Sequence, residues 1–482
     1  MLTQLRIQNF KTWQDTTPLR LAPITVFFGG NSSGKSSIGQ FLLMLRRTVE
    51  QPDRSMVFYT ADDQSIMHLG SFGSYVFDGE TGRDVDFEIE WKCEGSKQLI
   101  DPLHSRRHRW SQMKFNGKVG QLADSERVVC KAFSYILPEG RARISSRASA
   151  PRSETMPEMR VGLERTNGGE KYRLVTSEYK EKHSPGRAWP LPTPARFYGF
   201  PEELYSYFQN VAGFAGLQLE LERVLKSIHY LGPLRQYPKP SYTWAGQAPS
   251  DVGFQGENTV AALLAGAERT FNVGGKTRYA PLQQVVARWL VKLGVADNFT
   301  VECASKSTHT YQTLLTMPGR KKPVTLPGVG FGVSQVLPVV TQAFYAPPNS
   351  TIIIEQPELH LHPAVQSELA DLFIEAIGTK EGGAERKVQF LIESHSEHFL
   401  RRLQRRVAEQ ELKPEDVAVY FCESPDDGNG SGIRALQVDK CGRIKHWPKN
   451  FFGDQMTDIA ETRKAGLKQE MAATKGAQGA KA

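Results

Sequence analysis

Apolar side chains near the start of the chain follow first a strand pattern and then a helix pattern. Residues 24–28 (ITVFF) form a continuous run of β-branched and aromatic side chains, which predicts a buried strand. Further on, Ile38, Phe41, Leu42 and Leu45 recur with the spacing of one helix face. Glycine and serine dominate the residues in between, so we expect a loop that joins the strand to the helix.

A second strand-like run lies far along the chain. Residues 351–354 (TIII) are four β-branched residues in a row and are followed by Glu355, which predicts a buried strand that ends in a carboxylate. Upstream, a glycine-rich turn leads to Ser334 and then to an apolar helical stripe. The stripe consists of Val336, Val339, Val340 and Ala343. We predict that Ser334 caps this helix, whose N-terminal N–H groups would face an anion.

The loop after the first strand carries the strongest chemical signal of the chain. Its sequence, GGNSSGKSS at residues 29–37, fits the pattern G-x-x-x-x-G-K-[ST]. In such loops the backbone N–H groups surround phosphates, the lysine adds a charge, and the hydroxyl after it can bind Mg²⁺. We therefore predict ATP and Mg²⁺ as cofactors, with Ser36 and Glu355 as metal ligands. The predicted nucleotide-binding residues of the loop are Gly29, Asn31, Ser32, Ser33, Gly34, Lys35, Ser36 and Ser37.

Composition and charge restrict the class of protein only loosely. The 482 residues include 60 basic and 52 acidic side chains, and the net charge of +8 permits contact with nucleic acid without requiring it. The five cysteines are scattered, so neither a disulfide framework nor a zinc finger is indicated. No run approaches the roughly 20 apolar residues of a membrane helix, and the first residues lack a secretory pattern. We expect a cytoplasmic protein with no membrane partner.

The two halves of the predicted nucleotide site are far apart in sequence. Lys35 and Glu355 are separated by 320 positions, which is more chain than one compact nucleotide-binding sheet contains. A large insertion between the halves is therefore expected. We predict an N-terminal half at residues 1–90, an inserted mixed lobe at 91–225, a C-terminal half at 226–460 and a disordered tail at 461–482.

Four segments, taken in order, resemble the motifs of a known group of ATPases. GGNSSGKSS, GFGVSQ, IIIEQPELHLHP and LIESHSEH are similar to motifs of ABC-type ATPase heads of the SMC-like class. The resemblance is closer to prokaryotic AAA ATPases related to the overcoming-lysogenization-defect (OLD) proteins, and it covers about 1–90 and 226–455. It implies an α/β fold, namely an ABC-ATPase-like P-loop head with a mixed sheet and flanking helices, here split by a β-rich insert.

The resemblance also implies roles for distal residues. Glu355 matches the Walker B acid, and His395 matches the switch histidine that senses the γ-phosphate. The residues that match the signature loop are Gly330, Gly332, Ser334 and Gln335. We expect a homo-oligomer, a dimer or higher, in which the signature loop of one copy covers the nucleotide held by another. The Q-loop glutamine is not assigned, and Gln64 is a weak candidate.

Gln356 departs from the resembled family, which has a second acid at this position. An amide does not accept a proton at neutral pH, although its carbonyl can orient water. Because a general base typically contributes about 10²- to 10⁴-fold, hydrolysis should be slow or should use another carboxylate. Glu358 is the candidate substitute base. The alternative, a solvated loop acid, is equally favoured by the residues.

Basic clusters allow two interpretations. RRHR at residues 106–109 and the cluster at 141–152, both expected in loops, could contact nucleic acid, but a solvated surface is the favoured interpretation. The arginines of a predicted helix at residues 399–407 could form a subunit contact. Several histidines lie close enough in sequence for a zinc site, but other roles are favoured. These histidines are His360, His362, His395 and His398. His395 follows a strand-like run and should face the nucleotide, whereas His360 and His398 are expected to be surface or packing residues.

The C-terminal region predicts a hairpin and excludes one enzyme class. Residues 417–423 and 433–439 predict two strands joined by an acidic, glycine-rich turn. Some OLD relatives carry a metal-dependent nuclease domain in this region. Asp426, Asp427 and Asp439 are too few for such a site, so we expect no nuclease within this chain.

Three function classes remain. The first is a slow ATPase whose nucleotide state controls an effector protein such as a nuclease, which the resemblance to antiphage-defence ATPases implies. The second is a DNA-engaging ATPase of the SMC or repair type, which predicts salt-sensitive DNA binding. The third is a scaffold that binds ATP without cleaving it.

Overall fold

The computed structural model describes most of the chain. The described residues are 1–60, 68–103, 106–123, 125–138, 158–166, 171–186, 189–272, 279–424, 430–445, 447 and 461–466. Gln64, the basic cluster at 141–152, Asp426 and Asp427 lie outside these residues.

The strands come partly in long runs and partly between helices. The strands are β1 (Leu2–Phe10), β2 (Trp13–Asp15), β3 (Leu19–Arg20), β4 (Ile24–Gly29), β5 (Val85–Asp101), β6 (Arg106–Gln121), β7 (Val128–Leu137), β8 (Met159–Arg165), β9 (Tyr172–Ser177), β10 (Ile228–Leu231), β11 (Tyr242–Thr243), β12 (Thr270–Asn272), β13 (Tyr279–Pro281), β14 (Asn298–Ser305), β15 (Thr310–Thr316), β16 (Val324–Thr325), β17 (Thr351–Glu355), β18 (Lys380–Glu381), β19 (Ala384–Glu385), β20 (Gln389–Glu393), β21 (Val417–Glu423) and β22 (Gly432–Leu436). The α-helices are α1 (Lys35–Glu50), α2 (Phe72–Tyr75), α3 (Glu203–Tyr207), α4 (Phe214–Lys226), α5 (Thr259–Ala265), α6 (Leu282–Lys292), α7 (Phe331–Tyr345), α8 (Pro363–Gly378) and α9 (Glu397–Ala408).

A six-stranded mixed sheet forms the centre of the protein. Its order is β10-β17-β20-β4-β21-β22, with parallel pairing from β10 to β21 and an antiparallel edge strand β22. Strands β17 and β20 are buried along their whole length, as expected for parallel strands covered on both faces. The predicted α/β class, a mixed sheet with flanking helices, is confirmed.

The two faces of this sheet belong to different hydrophobic cores. Phe27, Ile353 and Leu391 point to one face, where they join a core that includes the apolar stripe of α1. Val26 and Ile352 point to the other face, where they pack with the apolar residues of α7, α8 and α9. The alternation follows from the two-residue period of a strand. Helices on both faces hold the strand ends in fixed positions.

An eight-stranded antiparallel sheet lies beside the first core. Its order is β2-β1-β5-β6-β7-β8-β9, and β3 also pairs with β1. The inward positions of β5, such as Phe87 and Trp91, are buried, and Phe87 contacts Phe41 of α1 edge to face. Strand β5 is continuous across residues 90 and 91, so the predicted boundary falls within a strand that pairs with β1. The proposed division into domains stays a prediction.

Several local predictions can be compared with the structure. Strands β4, β17 and β21, the helices α1 and α9, and the β21–β22 hairpin lie where the sequence pattern predicts them. The prediction that residues 106–109 lie in a loop is wrong, because they begin β6 and pair with β5. Within the parts of the chain that the structure describes, no helix combines the length and apolar character needed to cross a membrane.

Candidate active site

The turn between β1 and β2 braces the glycine-rich loop. The loop leaves β4 at Gly29, and α1 begins after Gly34, whose φ is 86°. The Trp13 indole N–H donates to the Gly34 carbonyl at 3.0 Å, and a Cβ on Gly34 would lie 2.8 Å from the indole ring. Glycine is therefore needed here both for the left-handed backbone and for the close approach of Trp13. The start of α1 is held rigidly against the first sheet.

A cavity of about 380 Å³ opens at the carboxyl edge of the central sheet. The parallel strands β4, β17 and β20 all end at this edge, which brings distant parts of the sequence together. The lining residues are Thr12, Asn31, Ser32, Ser33, Gly34, Lys35, Ser36, Ser37, Gln40, Gln356, Glu393 and His395. The predicted loop residues from Asn31 to Ser37 thus line the cavity together with Gln356 and His395, whereas Gly29 does not belong to the lining.

Lys35 and Ser36 are engaged with groups of the protein itself. The Lys35 ammonium donates to the carbonyl oxygens of Gly30 at 2.6 Å and Gly29 at 3.2 Å. Its Nζ also lies 3.8 Å from Oε1 of Glu393. The Ser36 hydroxyl donates to Oε2 of Glu393 at 2.7 Å. The two groups expected to meet phosphate and metal therefore converge on one carboxylate.

Glu393 is the residue that the sequence reasoning missed. It ends β20, and the run QFLIE resembles the run TIIIE that ends at Glu355. In the parallel register of β17 and β20, Glu355 and Glu393 are direct neighbours. Burial raises the pKa of Glu393, against the opposing effects of Ser36 and Lys35. A strand-terminal acid after a buried apolar run was the available signal.

Glu355 does not line the cavity, and its carboxylate is directed at Tyr230 on β10. Its Oε1 accepts a hydrogen bond from the Tyr230 hydroxyl at 2.9 Å, and its carbonyl oxygen accepts one from Arg235 at 3.4 Å. Burial, and secondly the negative charge of Glu393, raise the pKa of Glu355 to about 7. The carboxylate that contacts Ser36 is that of Glu393. The predicted role of Glu355 as a metal ligand stays a prediction.

Gln356 combines a cavity position with an unusual backbone. Its φ is 45°, a left-handed value that costs a non-glycine residue free energy. Its backbone N–H donates to the Glu393 carbonyl oxygen at 2.9 Å, which ties the end of β17 to the end of β20. The amide side chain is therefore held at the cavity by a strained backbone. Such strain is common where a side chain must be aimed at a ligand.

Glu358 supports the segment that carries His395. Its Oε1 accepts hydrogen bonds from the Ser394 hydroxyl at 3.0 Å and from the His395 backbone N–H at 2.6 Å. Burial raises the pKa of Glu358. Its carboxylate is absent from the cavity lining, whereas His395 lines the cavity. Desolvation, and secondly the Lys35 charge, lower the pKa of His395. The contacts of Glu358 are those of a positioning residue.

The predicted signature residues do not line this cavity. Helix α7 begins at Phe331 after the N-cap Gly330, so the prediction that Ser334 caps the helix is wrong. Ser334 and Gln335 lie within the first turns of the helix and are buried. A Cβ on Gly332 would lie 3.6 Å from Leu361, in the loop that follows β17. Gly330, Gly332, Ser334 and Gln335 are not part of the described lining of the cavity.

The remaining histidines have other surroundings. His362 is the N-cap of α8, and its Nδ1 accepts a hydrogen bond from the Ala364 backbone N–H at 3.3 Å. His360 and His398 are exposed and lie outside the cavity lining. Within the described ranges, no group of three or more His, Cys, Asp or Glu side chains is arranged to hold a metal ion.

The arginines of α9 form ion pairs within the chain. Arg402 and Arg406 both reach Asp371 of α8, at 2.5 and 2.6 Å. Arg401 pairs with Glu397 at 3.2 Å and Arg405 with Glu409 at 2.7 Å, one helical turn away in each case. The positive charge of this helix is therefore largely balanced by neighbouring carboxylates. Exposed pairs of this kind contribute little to stability.

Two family models match parts of the chain. Residues 268–401 match a family described as "AAA domain, putative AbiEii toxin, Type IV TA system". An AAA-type ATPase domain is thereby indicated. The match contains Glu355 and His395 and does not extend to the glycine-rich loop. Residues 412–461 match a protein family of unknown function, DUF3696. Neither description mentions the OLD proteins, so that part of the resemblance stays a prediction.

Solved structures of SMC heads align with most of the chain. The SMC head domain from Thermotoga maritima has 9% sequence identity and a TM-score of 0.38, with 91% of this chain and 99% of that chain covered. The Smc head domain with an extended coiled coil, bound to the C-terminal domain of ScpA and derived from Pyrococcus furiosus, has 9% identity and a TM-score of 0.41, with 96% and 99% covered. No curated protein matches the chain.

Proposed function

We propose that this protein is a Mg²⁺-dependent ATPase with slow turnover. The observation that carries the proposal is the single cavity shared by the glycine-rich loop and the side chains of Gln356, Glu393 and His395. The loop supplies backbone N–H groups at the start of α1, where the helix dipole favours phosphate. The Lys35 donors, now directed at two loop carbonyls, are placed to meet phosphate oxygens. The Ser36 hydroxyl and a strand-end carboxylate are oxygen donors of the kind Mg²⁺ prefers.

Each side chain has a defined task in this proposal. Lys35 neutralises phosphate charge, and His395, which also lines the cavity, would contact the terminal phosphate. Ser36 and a carboxylate would hold Mg²⁺, which would neutralise charge that develops on the phosphate oxygens. Gln356 orients the attacking water through its carbonyl oxygen. Glu358 holds the backbone of His395 in place.

Slow turnover follows from the chemistry of residues 356 and 358. The Gln356 amide does not accept a proton at neutral pH, and Glu358, whose Oε1 accepts hydrogen bonds from Ser394 and His395, does not line the cavity. Without a general base, a factor of about 10² to 10⁴ in rate is lost. The same observation favours a second candidate function, a scaffold that binds ATP and scarcely hydrolyses it.

We further propose that nucleotide sites are shared between copies of the chain. The signature residues around Ser334 do not line the cavity of their own chain, which supports the idea that they serve a nucleotide held by another copy. In a two-fold symmetric dimer, one interface places the signature loop of each copy at the cavity of the other. The oligomer is a dimer or larger.

Nucleotide-dependent assembly is proposed to control an effector protein, such as a nuclease, in antiphage defence. The toxin description of the family that matches residues 268–401 supports this proposal. We propose that the protein carries out this role in the cytoplasm. A DNA-engaging ATPase is the alternative, and the internal pairing of the α9 arginines leaves less free charge for a phosphate backbone.

Complementation between two inactive variants tests the shared site. Lys35→Ala and Ser334→Arg should each abolish steady-state ATP hydrolysis, whereas an equal mixture should regain activity, because a mixed dimer contains one intact site. Ser307→Arg, at an exposed turn, controls for the added positive charge. A mixture as inactive as its components, at unchanged native mass, would refute the shared site. Adding DNA to each assay separates the DNA-engaging alternative, which requires stimulated turnover.

A further inference from the structure

Glu393 occupies the position between the glycine-rich loop and the predicted Walker B acid. Strand β20 pairs with β4 on one side and β17 on the other, so Glu393 is in register with Phe27 and with Glu355. Its carboxylate accepts the Ser36 hydroxyl proton at 2.7 Å with one oxygen and lies 3.8 Å from the Lys35 ammonium with the other. The side chain is 8% exposed and lines the cavity. It is the acid that meets both functional groups of the loop.

Glu355 has a different set of contacts. Its carboxylate is bound to the Tyr230 hydroxyl on β10, on the side of β17 that faces away from β20. To meet Ser36, Glu355 would have to leave that buried hydrogen bond and reach past the neighbouring strand end. Glu393 needs no such rearrangement, since it already touches the hydroxyl. Glu393 is therefore favoured as the partner of Ser36, because it is already in contact and because Glu355 would first have to lose a buried hydrogen bond.

We propose that Glu393, rather than Glu355, is the carboxylate that joins Ser36 in holding Mg²⁺ beside the bound nucleotide. The inference rests on the proposed ATP-binding function and assigns its metal site. A hydroxyl and a carboxylate in direct contact are both hard oxygen ligands directed at the same space. Before the ion binds, Ser36 and Lys35 stabilise the carboxylate in the same position.

The proposal also gives a physical reason for the amide at position 356. Glu355 and Glu393 already place two carboxylates at adjacent strand ends. A third acid at residue 356 would add another negative charge beside them, and like charges at short distance destabilise one another. Gln356 keeps the hydrogen-bonding capacity of the position without that charge.

Affinity for a fluorescent ATP analogue, measured with Mg²⁺ and with EDTA, tests the assignment without any turnover. Wild type should bind the analogue more tightly with Mg²⁺. Glu393→Gln should retain binding in EDTA and lose most of the Mg²⁺ enhancement, with Mg²⁺ affinity reduced at least about 10- to 100-fold. Glu355→Gln should keep the enhancement. Glu423→Gln, which changes an acid at the end of β21 that pairs with Arg434, is the matched control.

A second readout keeps the test decisive if one variant folds poorly. Mn²⁺ bound with the analogue is followed by electron paramagnetic resonance, and Glu393→Asp, which retains a carboxylate, should recover part of the signal that Glu393→Gln loses. Full Mg²⁺ enhancement in Glu393→Gln, or its loss in Glu355→Gln, overturns the assignment while leaving ATP binding intact. If wild type binds no analogue, or Lys35→Ala binds equally well, the proposed function itself fails.

Discussion

Replacing Glu355 with glutamine should stabilise the nucleotide-free protein at alkaline pH. Burial and the neighbouring charge of Glu393 raise the pKa of Glu355 from 4.5 to about 7 in the folded protein. The folded state therefore binds this proton more tightly than the unfolded state does. The resulting stability is fully present below pH 4.5 and is lost as the pH rises through about 7. A difference of about 2.5 pH units corresponds to roughly 3 kcal/mol, because each unit is worth about 1.4 kcal/mol.

The Glu355→Gln variant removes the ionisation but keeps the main contact, since an amide oxygen can still accept the Tyr230 hydroxyl proton. Thermal and urea unfolding, followed in EDTA from pH 5 to pH 9, measure the effect. Glu355→Gln should exceed wild type by less than about 1 kcal/mol near pH 5 and by up to roughly 3 kcal/mol above pH 8. Glu423→Gln, at a partly exposed position, should follow wild type throughout. A stability difference between Glu355→Gln and wild type that stays the same from pH 5 to pH 9 would refute the reasoning.

Further substitutions test the cavity and the helix behind it. Gln356→Glu should raise steady-state ATP turnover by up to about 10²- to 10⁴-fold, and an unchanged rate would show that no base is missing. Gly34→Ala should weaken binding of a fluorescent ATP analogue, because its Cβ would collide with the Trp13 ring at 2.8 Å; wild-type affinity would contradict this. Arg386→Met should lower stability by at least about 3 kcal/mol, since three buried carbonyl groups at the end of α7 lose their partner. Thermal unfolding measures that loss, with Arg434→Met as an exposed control that should show little change.

Elements specified by neighbouring residues were predictable. The glycine-rich loop, the helix α1 and the strand that ends at Glu355 each follow from patterns within about 20 residues, because strand burial, helix amphipathicity and phosphate loops are local properties. The β21–β22 hairpin is predictable for the same reason. The helix cap was predicted at Ser334, four residues after the actual N-cap Gly330. Glycine and serine both occur at helix N-caps, so the sequence pattern does not decide between these two positions.

Contacts between distant segments could not be predicted in this way. Strand β1 pairs with β5, more than 70 residues later. Both strands alternate polar and apolar residues, and this pattern alone does not specify which strand pairs with which. The expected loop at 106–109 is part of β6 for this reason, since pairing with β5 supplies hydrogen bonds that override its basic composition.

The sequence by itself determined the phosphate loop, the acid that ends the buried TIIIE strand, and the amide at position 356 where an acid was expected. Only the tertiary structure decided which carboxylate meets Ser36. Two acids end two similar strands, and their local sequences do not distinguish them. The order of β17, β20 and β4 in the sheet places Glu393 next to the loop and turns Glu355 toward Tyr230. Strand order is a property of long-range pairing, so the choice between the two carboxylates is made only when the chain is folded.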